Sequence, residues 1–267
     1  MCSIFLDAIR EGKWNIFDSM QNNIFFQPTQ TTQEHVYDFP GQTFREVFWK
    51  IDEKDQLHGI HFVVNINQPS EKGLVLCFHG NSGTLVEWGT LGAVFVNKGY
   101  DFLMVDYRNF GKSIGELTEE NVHKDAMLAY KYGRKFYKPK KIVIHGISIG
   151  TAVATRLAAT VPCKALVLQT PFMHLRDIAK AHVTLLPEFV CHWFKFQFES
   201  DKYITKVKCP IYGIHSRDDT LIPYTSATKL FDKLKNRKDC ILWLVDDVGH
   251  SVELSPLYLL FLDTIYN

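Results

Sequence analysis

The hydrophobic positions of this 267-residue chain fall into two alternating patterns. Short, nearly all-apolar runs such as GLVLCFHG at 73–80 are typical of strands buried on both faces of a parallel sheet. Longer amphipathic runs lie between them, such as residues 118–136, where Thr118 is the predicted N-cap and acidic residues follow in the first turn. The predicted strands are 44–51, 57–64, 73–80, 100–107, 141–147, 164–169, 209–215 and 240–246, and the predicted helices are 84–98, 118–136, 149–160, 223–235 and 252–265.

The regular alternation of strand and helix predicts a mostly parallel sheet covered by helices on both faces. The first two strands, at 44–51 and 57–64, are separated only by a charged turn, which predicts an antiparallel pair at one edge of the sheet. No repeat, low-complexity tract or Pro/Gly-rich linker divides the chain. We therefore expect residues 1–267 to form a single α/β domain with a full hydrophobic core.

Two segments do not follow the alternating pattern. Residues 1–34 mix aromatic and polar side chains and are predicted to form a helical arm packed on the body, with peripheral membrane contact as the alternative. Residues 171–208 separate two strands by more than one crossover helix requires, and they include the aromatic-rich stretch FVCHWFKFQF at 189–198. Because long insertions between regular elements are often functional, we predict a small helical cap over a hydrophobic site. The alternative is an additional pair of core helices.

Charge and composition exclude several classes of protein. The formal net charge is +1 and the basic residues are spread along the chain, so no nucleic-acid partner is expected. Apolar runs such as 257–262 are far shorter than the roughly 18 residues needed to span a bilayer, and the N-terminus lacks the features of a secretory signal. The six cysteines are scattered without a CxxC pair, which favours buried thiols in a reducing compartment over a metal or disulfide framework. We predict a cytoplasmic protein that is a monomer or a weak oligomer.

The sequence Gly146-Ile147-Ser148-Ile149-Gly150 lies where a strand pattern changes to a helix pattern. In a G-x-S-x-G elbow the turn is so sharp that glycines are needed at the flanking positions, and the serine hydroxyl is lifted off the sheet. The N–H of Ile149 then points at the same place from a helix N-terminus, where partial positive charge gathers. We predict that Ser148 is a nucleophile and that the Ile149 N–H is an oxyanion donor. The alternative is a serine that merely caps the helix.

A serine nucleophile needs a base and an acid that orients the base. His250 lies in a short glycine-containing loop after the last predicted strand, and an acidic pair, Asp218 and Asp219, follows the strand at 209–215. Because active-site groups gather at the carboxyl ends of parallel strands, we expect His250 and the acidic pair to lie near Ser148. The choice between the two adjacent aspartates is open at this point.

Other candidates have less suitable positions. Asp246 and Asp247 are further candidates for the acid, but they are less favoured because they precede His250 closely in sequence. His145 lies inside a predicted strand and is expected to pack in the core, and His215 is expected to hold the loop that carries the acid.

The acid loop also resembles that of a known family. HSRDDTLIP at 215–223 is similar to the H-x-x-x-D-x-x-(V/I)-P loop of the α/β-hydrolase superfamily, in the soluble serine-hydrolase branch that includes the ABHD-type depalmitoylases and lysophospholipases. The resemblance extends from about residue 40 to 266 and implies an α/β-hydrolase fold, a mostly parallel eight-stranded sheet with helices on both faces. It also implies that Asp219 is the acid. Asp218 is then a solvated neighbour or a hydrogen-bond acceptor within the loop.

Two further motifs support the same resemblance. FHGNSG at 78–83 is similar to the family's His-Gly-Asn turn, which implies the backbone N–H of Asn81 as the second oxyanion donor, with Ser82 as the alternative. DYRNFGKSIGE at 106–116 is similar to D-Y-R-G-x-G-x-S-x-G, with Asn109 in place of a glycine. A backbone at positive φ accepts asparagine nearly as well, so we expect a structural role for this loop.

These features predict a serine hydrolase that cleaves carboxylic ester or thioester bonds of small apolar acyl substrates, with no metal and no organic cofactor. Two alternatives remain. An aminopeptidase or amidase with the same triad would carry a larger acidic cap, whereas 171–208 contains only Asp177, Glu188, Glu199 and Asp201. A non-catalytic binding protein of this fold is expected to lack a member of the triad, and all three candidates are present.

Overall fold

Eight strands form one sheet in the described part of the protein. The computed structural model describes residues 25–182, 191 and 194–266. The strands are β1 (Phe44–Lys50), β2 (Gln56–Phe62), β3 (Leu74–Phe78), β4 (Asp101–Asp106), β5 (Ile142–Ile147), β6 (Ala165–Gln169), β7 (Ile211–Ser216) and β8 (Cys240–Val245). Their order in the sheet is β1-β2-β4-β3-β5-β6-β7-β8.

The sheet is parallel except at one edge. β1 pairs antiparallel with β2, and β2 pairs antiparallel with β4. The remaining neighbours, from β4–β3 to β7–β8, pair in parallel. The mostly parallel eight-stranded sheet and its antiparallel edge pair are therefore confirmed. The carboxyl ends of the parallel strands open on a single edge of this sheet, which is where such folds place their ligand sites.

Helices cover both faces of the sheet. They are α1 (Leu85–Trp88), α2 (Gly92–Asn97), α3 (Glu119–Gly133), α4 (Gly150–Ala158), α5 (Leu175–His182), α6 (Asp201–Ile204), α7 (Tyr224–Asp232) and α8 (Pro256–Tyr266), with 3₁₀ turns at Gly89–Leu91, Pro139–Lys141 and Val252–Leu254. Buried side chains of α3, α4 and α7 form one apolar cluster with Ile142 and Ile144 of β5. Those of α1, α2 and α8 form a second cluster with Val143 and Ile147. The alternation along β5 places the strand that precedes Ser148 between two cores.

The predicted helix 84–98 is divided in the structure into α1, a 3₁₀ turn and α2. Two glycines at the division lie directly on aromatic rings. An ideal Cβ on Gly89 would lie 2.4 Å from a ring carbon of Phe39, and one on Gly92 would lie 2.7 Å from Phe62. Glycine is a weak helix former, so the backbone here follows the packing of these rings rather than a continuous helix.

The predicted arm and cap are described in part. Residues 1–24 of the arm, and residues 183–190, 192 and 193 of the segment 171–208, lie outside the described residues. The rest of that segment contains α5 and α6. Three of its aromatic side chains are buried against the arm: Phe194 lies 5.1 Å from Phe25 between ring centroids, and Phe196 and Phe198 lie 4.9 and 6.0 Å from Phe26. These rings connect the segment to the arm.

Across residues 25–182, 191 and 194–266, no helix has both the length and the apolar character that crossing a membrane requires. The cytoplasmic location, the oligomeric state, the lack of a nucleic-acid partner and the single-domain organisation stay predictions.

Candidate active site

Ser148 lies at the sharp turn between β5 and α4. Its φ is 53°, in the left-handed region that costs a residue with a side chain roughly 1–2 kcal/mol. The flanking glycines have no room for a side chain. An ideal Cβ on Gly146 would lie 2.4 Å from the Gly150 oxygen, and one on Gly150 would lie 2.2 Å from the Phe78 oxygen. The predicted steric reason for glycine on both sides of the serine is confirmed.

Hydrogen bonds hold this strained turn on both sides. The Ser148 N–H donates to the backbone oxygen of Gln169, the last residue of β6, at 2.9 Å. The backbone carbonyl oxygen of Ser148 accepts from the Thr151 N–H, also at 2.9 Å. Ser148 is 9% exposed. The backbone is thus fixed while the residue keeps some access to solvent.

His250 connects Ser148 to Asp219. The distance from His250 Nε2 to Ser148 Oγ is 3.1 Å, and that from His250 Nδ1 to Asp219 Oδ2 is 2.8 Å. The Asp219 side chain is fully buried, whereas that of His250 is 23% exposed. The three residues follow β5, β7 and β8, so the carboxyl edge of the sheet brings them together in one hydrogen-bonded line.

The surroundings of Asp219 favour its ionised form. Burial alone would raise the pKa of Asp219, but hydrogen bonds from His215, His250 and the Ile222 N–H outweigh it and hold this pKa well below its usual range. His215 also lies 2.9 Å from the Ile222 oxygen, so it holds the acid loop. An ionised Asp219 fixes a proton on Nδ1 of His250 and leaves Nε2 able to accept the proton of Ser148.

Asp218 has a different position from its neighbour. Its carboxylate accepts from the backbone N–H groups of Val248 and Gly249 at 3.3 and 3.0 Å and from the hydroxyl of Ser216. Asp218 therefore connects the loop after β7 to the loop that carries His250. Of its two predicted roles, the structure supports the hydrogen-bond acceptor.

The loop after β3 passes beside Ser148: an ideal Cβ on Gly80 would lie 3.8 Å from the Ser148 Cβ. The four backbone oxygens of residues 79–82 in this loop each accept a hydrogen bond. Tyr107 Oη donates to the His79 oxygen at 2.8 Å, and His79 Nδ1 donates to the Gly80 oxygen at 2.8 Å. The Gln27 N–H donates to the Asn81 oxygen at 2.7 Å, and Trp88 Nε1 donates to the Ser82 oxygen at 2.7 Å.

On the other side of Ser148, Ile149 is the N-cap residue of α4. The predicted oxyanion donors, Asn81 and Ile149, therefore belong to the two segments that adjoin the serine.

The donors Gln27 and Trp88 are not predicted by the sequence. Gln27 contacts residues 79–82 through its backbone amide, and Trp88 does so through its indole. Neither residue lies in a sequence motif that would have pointed to the contact. Tyr107 does have a signal, because it belongs to the DYRNFGKSIGE motif. That motif has the structural role expected of it: Asn109 has φ of 68°, and the buried guanidinium of Arg108 donates to both carboxylate oxygens of Asp125 at 2.9 and 3.0 Å.

The remaining candidates lie away from this hydrogen-bonded line. The ring nitrogens of buried His145 lie 3.2 and 3.3 Å from the hydroxyls of Tyr266 and Tyr258 on α8, so this histidine packs in the core as expected. Asp246 forms a salt bridge with Arg217 at 2.8 Å. Within the described ranges, no group of three or more His, Cys, Asp or Glu side chains is arranged to hold a metal ion.

The sheet order, the glycine-flanked elbow and the residues at the carboxyl edge define an α/β-hydrolase fold. Comparisons with known proteins agree. A family model described as alpha/beta hydrolase fold matches residues 73–191. The Pyrococcus furiosus esterase Pf2001 has a similar structure, with a TM-score of 0.69 and 19% identity over 90% of this chain and 97% of that one. This likeness concerns the fold.

Two curated relatives have higher identity. The lysophosphatidylserine lipase ABHD12 of Danio rerio is 32% identical over 209 residues, covering 70% of this chain and 52% of that protein. The alpha/beta hydrolase domain-containing protein aho-3 of Caenorhabditis elegans is 30% identical over 198 residues, covering 72% of this chain and 56% of that protein. The chain spans about half the length of these relatives. It belongs to the α/β-hydrolase superfamily.

Proposed function

We propose that this protein is a serine hydrolase that cleaves carboxylic ester or thioester bonds of apolar acyl substrates. The observation that carries the proposal is the hydrogen-bonded line from Ser148 Oγ through His250 to the buried Asp219 carboxylate, at 3.1 and 2.8 Å. A line of this kind activates a hydroxyl, because the imidazole accepts its proton while the carboxylate stabilises the resulting imidazolium.

The reaction would proceed through an acyl-enzyme. Ser148 Oγ attacks the substrate carbonyl while His250 Nε2 takes its proton, and the backbone N–H groups of Asn81 and Ile149 stabilise the oxyanion. The tetrahedral intermediate then collapses, and the leaving alcohol or thiol takes that proton from His250. Water attacks the acyl-enzyme with His250 again acting as base, which releases the acid and restores the Ser148 hydroxyl.

Monoacyl phospholipids are the substrate class that we propose within this chemistry. Support comes from several relatives of this chain, including those of Danio rerio and Rattus norvegicus, that are named lysophosphatidylserine lipases. Such a substrate combines an ester bond, an apolar acyl chain and a polar head group. The proposed partner of this protein is therefore a small molecule. The proposed reaction needs no cofactor.

The alternative is an aminopeptidase or amidase. A peptidase would use acidic side chains to hold the substrate amine. In the described part of the segment 171–208, Asp177 and Asp201 instead lie 3.3 and 2.9 Å from the ring nitrogens of His174. These carboxylates are engaged within the protein, which favours the esterase.

The test is hydrolysis by the purified protein of lysophosphatidylserine, medium-chain p-nitrophenyl esters and an aminoacyl arylamide, together with fluorophosphonate labelling. We expect ester hydrolysis and labelling of the wild type, and neither in Ser148→Ala. Thr264→Ala, which removes an exposed hydroxyl from α8, is the matched control and should behave as wild type. Ester turnover that survives in Ser148→Ala would refute the mechanism, and a preference for the arylamide would favour the alternative.

A further inference from the structure

Asn81 is held through both of the peptide groups that flank it. The preceding peptide carries the Gly80 oxygen, which accepts from His79 Nδ1 at 2.8 Å. The following peptide carries the Asn81 oxygen, which accepts from the Gln27 N–H at 2.7 Å. Because a trans peptide is planar, fixing both groups fixes the Asn81 Cα and the direction of its N–H. One of the two restraints comes from the loop itself and the other from a distant part of the chain.

The segment that supplies Gln27 is firmly attached to the body. Phe26 is fully buried, and its ring packs against Tyr107, Phe110 and Phe196 at centroid distances of 5.7, 6.1 and 4.9 Å. A few residues further on, the Thr31 N–H donates to the Gly111 oxygen at 2.9 Å. Phe26 is therefore an anchor that sets where the next backbone amide lies.

The segment that carries Gln27 also pairs with two loops through isolated β-bridges. Gln27 and Ser82 form a parallel β-bridge, as do Gln30 and Gly111. The Gln27 side chain itself is exposed, so the contact with Asn81 depends on the backbone amide and not on the identity of the side chain.

We propose that Gln27, through its backbone N–H, is a positioning residue for the oxyanion hole. This inference rests on the proposed function, in which the Asn81 N–H stabilises the oxyanion. The Gln27 amide holds the peptide that follows Asn81, and with it the Asn81 Cα that carries the N–H assigned to the oxyanion hole in the proposed function. Loss of this bond leaves the peptide that follows Asn81 without its hydrogen-bond donor and lets the Asn81 N–H drift from the place where negative charge develops.

The size of the effect follows from the strength of such donors. Removing one oxyanion donor typically lowers kcat by about 10²–10³-fold, and a misplacement of about 1 Å is enough for a loss of up to 10²-fold. A displaced donor should do less harm than a missing one. We therefore expect a fall in kcat of about 10- to 100-fold, with KM changed by about twofold or less.

The experiment compares Gln27→Pro, which removes the amide hydrogen, with Gln27→Ala, which removes the side chain and keeps the amide. Both are assayed for ester hydrolysis, for thermal unfolding, for inhibition by an alkyl trifluoromethyl ketone, which forms a tetrahedral adduct with an oxyanion, and for inhibition by a fatty alcohol, which carries the alkyl chain without an oxyanion. In Gln27→Pro we expect kcat and the affinity for the ketone to fall together while the affinity for the fatty alcohol is kept. Gln27→Ala should match the wild type in every assay.

A folded Gln27→Pro with wild-type kcat and ketone affinity would overturn the inference. If Gln27→Pro does not fold, Phe26→Leu replaces it: a smaller anchor should lower kcat and ketone affinity in the same way, and an unchanged kcat in that variant would overturn the inference equally. Failure of the proposed function looks different, since the wild type itself would then show no hydrolysis that depends on Ser148.

Discussion

At the scale of the residue, the two adjacent aspartates have separate tasks. Asp219 is buried and lies 2.8 Å from His250 Nδ1, whereas Asp218 is exposed and accepts from the amide of Gly249. One carboxylate is hydrogen-bonded to the imidazole of His250, and the other is hydrogen-bonded to the backbone of the loop that carries it. Two identical side chains differ because the turn after β7 points them in different directions.

Substitution of each aspartate by asparagine should separate these tasks. Asp219→Asn removes the charge that fixes the His250 tautomer, and kcat should fall by about 10³–10⁴-fold. Asp218→Asn weakens only the support of the loop, for which we expect a loss of about tenfold. Steady-state kinetics on one ester measures both variants, with Asp246→Asn as a surface control that should keep wild-type activity. A larger loss in Asp218→Asn than in Asp219→Asn would reverse the assignment.

At the scale of the element, the strand–turn–helix elbow depends on close backbone contact. An ideal Cβ on Gly150 would lie only 2.2 Å from the carbonyl oxygen of Phe78 on β3. The start of α4 therefore packs directly against the neighbouring strand. This contact lets the turn stay sharp while Ser148 keeps a strained φ.

Gly150→Ala tests this contact. The added methyl cannot be accommodated without moving the backbone, so the free energy of unfolding should fall by about 3 kcal/mol or more. Gly41→Ala is the control, because Gly41 has φ of 74° with nothing within 4 Å of an ideal Cβ; strain alone should cost it roughly 1–2 kcal/mol. Urea unfolding compares the two. Equal losses would mean that the elbow tolerates a side chain at position 150.

At the scale of the whole molecule, buried histidines make stability depend on pH. Burial lowers the pKa of His145 to about 3, and it also lowers the pKa values of His79 and His123. Below an ordinary histidine pKa of about 6.5, the unfolded chain binds protons that the folded protein does not. Stability therefore falls as the pH drops from about 6.5, and the contribution of His145 continues to fall toward pH 3.

His145→Gln should reduce this pH dependence. At pH 5 the wild type should lose about 2 kcal/mol through His145 alone, relative to pH 7.5, and the variant should be spared that loss. Urea unfolding at the two pH values measures the difference. Tyr266→Phe removes a hydrogen-bond partner of His145 but keeps the histidine, so its pH dependence should stay as in the wild type. An unchanged pH dependence in His145→Gln would show that His145 does not titrate in this way.

Some elements of this fold can be predicted from the sequence alone, and others cannot. The eight strands, the antiparallel edge and the glycine-flanked Ser148 follow from the sequence, because local periodicity and steric demand at a turn are encoded in neighbouring residues. The division of the helix at 84–98 does not follow, since it depends on Phe39 and Phe62, which are distant in the chain. Helix ends shift by a few residues for the same reason, as for α3, which is predicted to 136 and ends at Gly133.

For the site, local sequence patterns are enough to predict which residue types stand at the carboxyl ends of which strands, because a motif and its spacing are local properties. Which of those side chains meet depends on the folded structure. It placed His250 within 3.1 Å of Ser148, gave Asp218 and Asp219 different partners, and brought the Gln27 amide to the oxygen of Asn81. Contacts between distant segments depend on how the sheet, the arm and the loops pack, and that packing is a property of the whole chain.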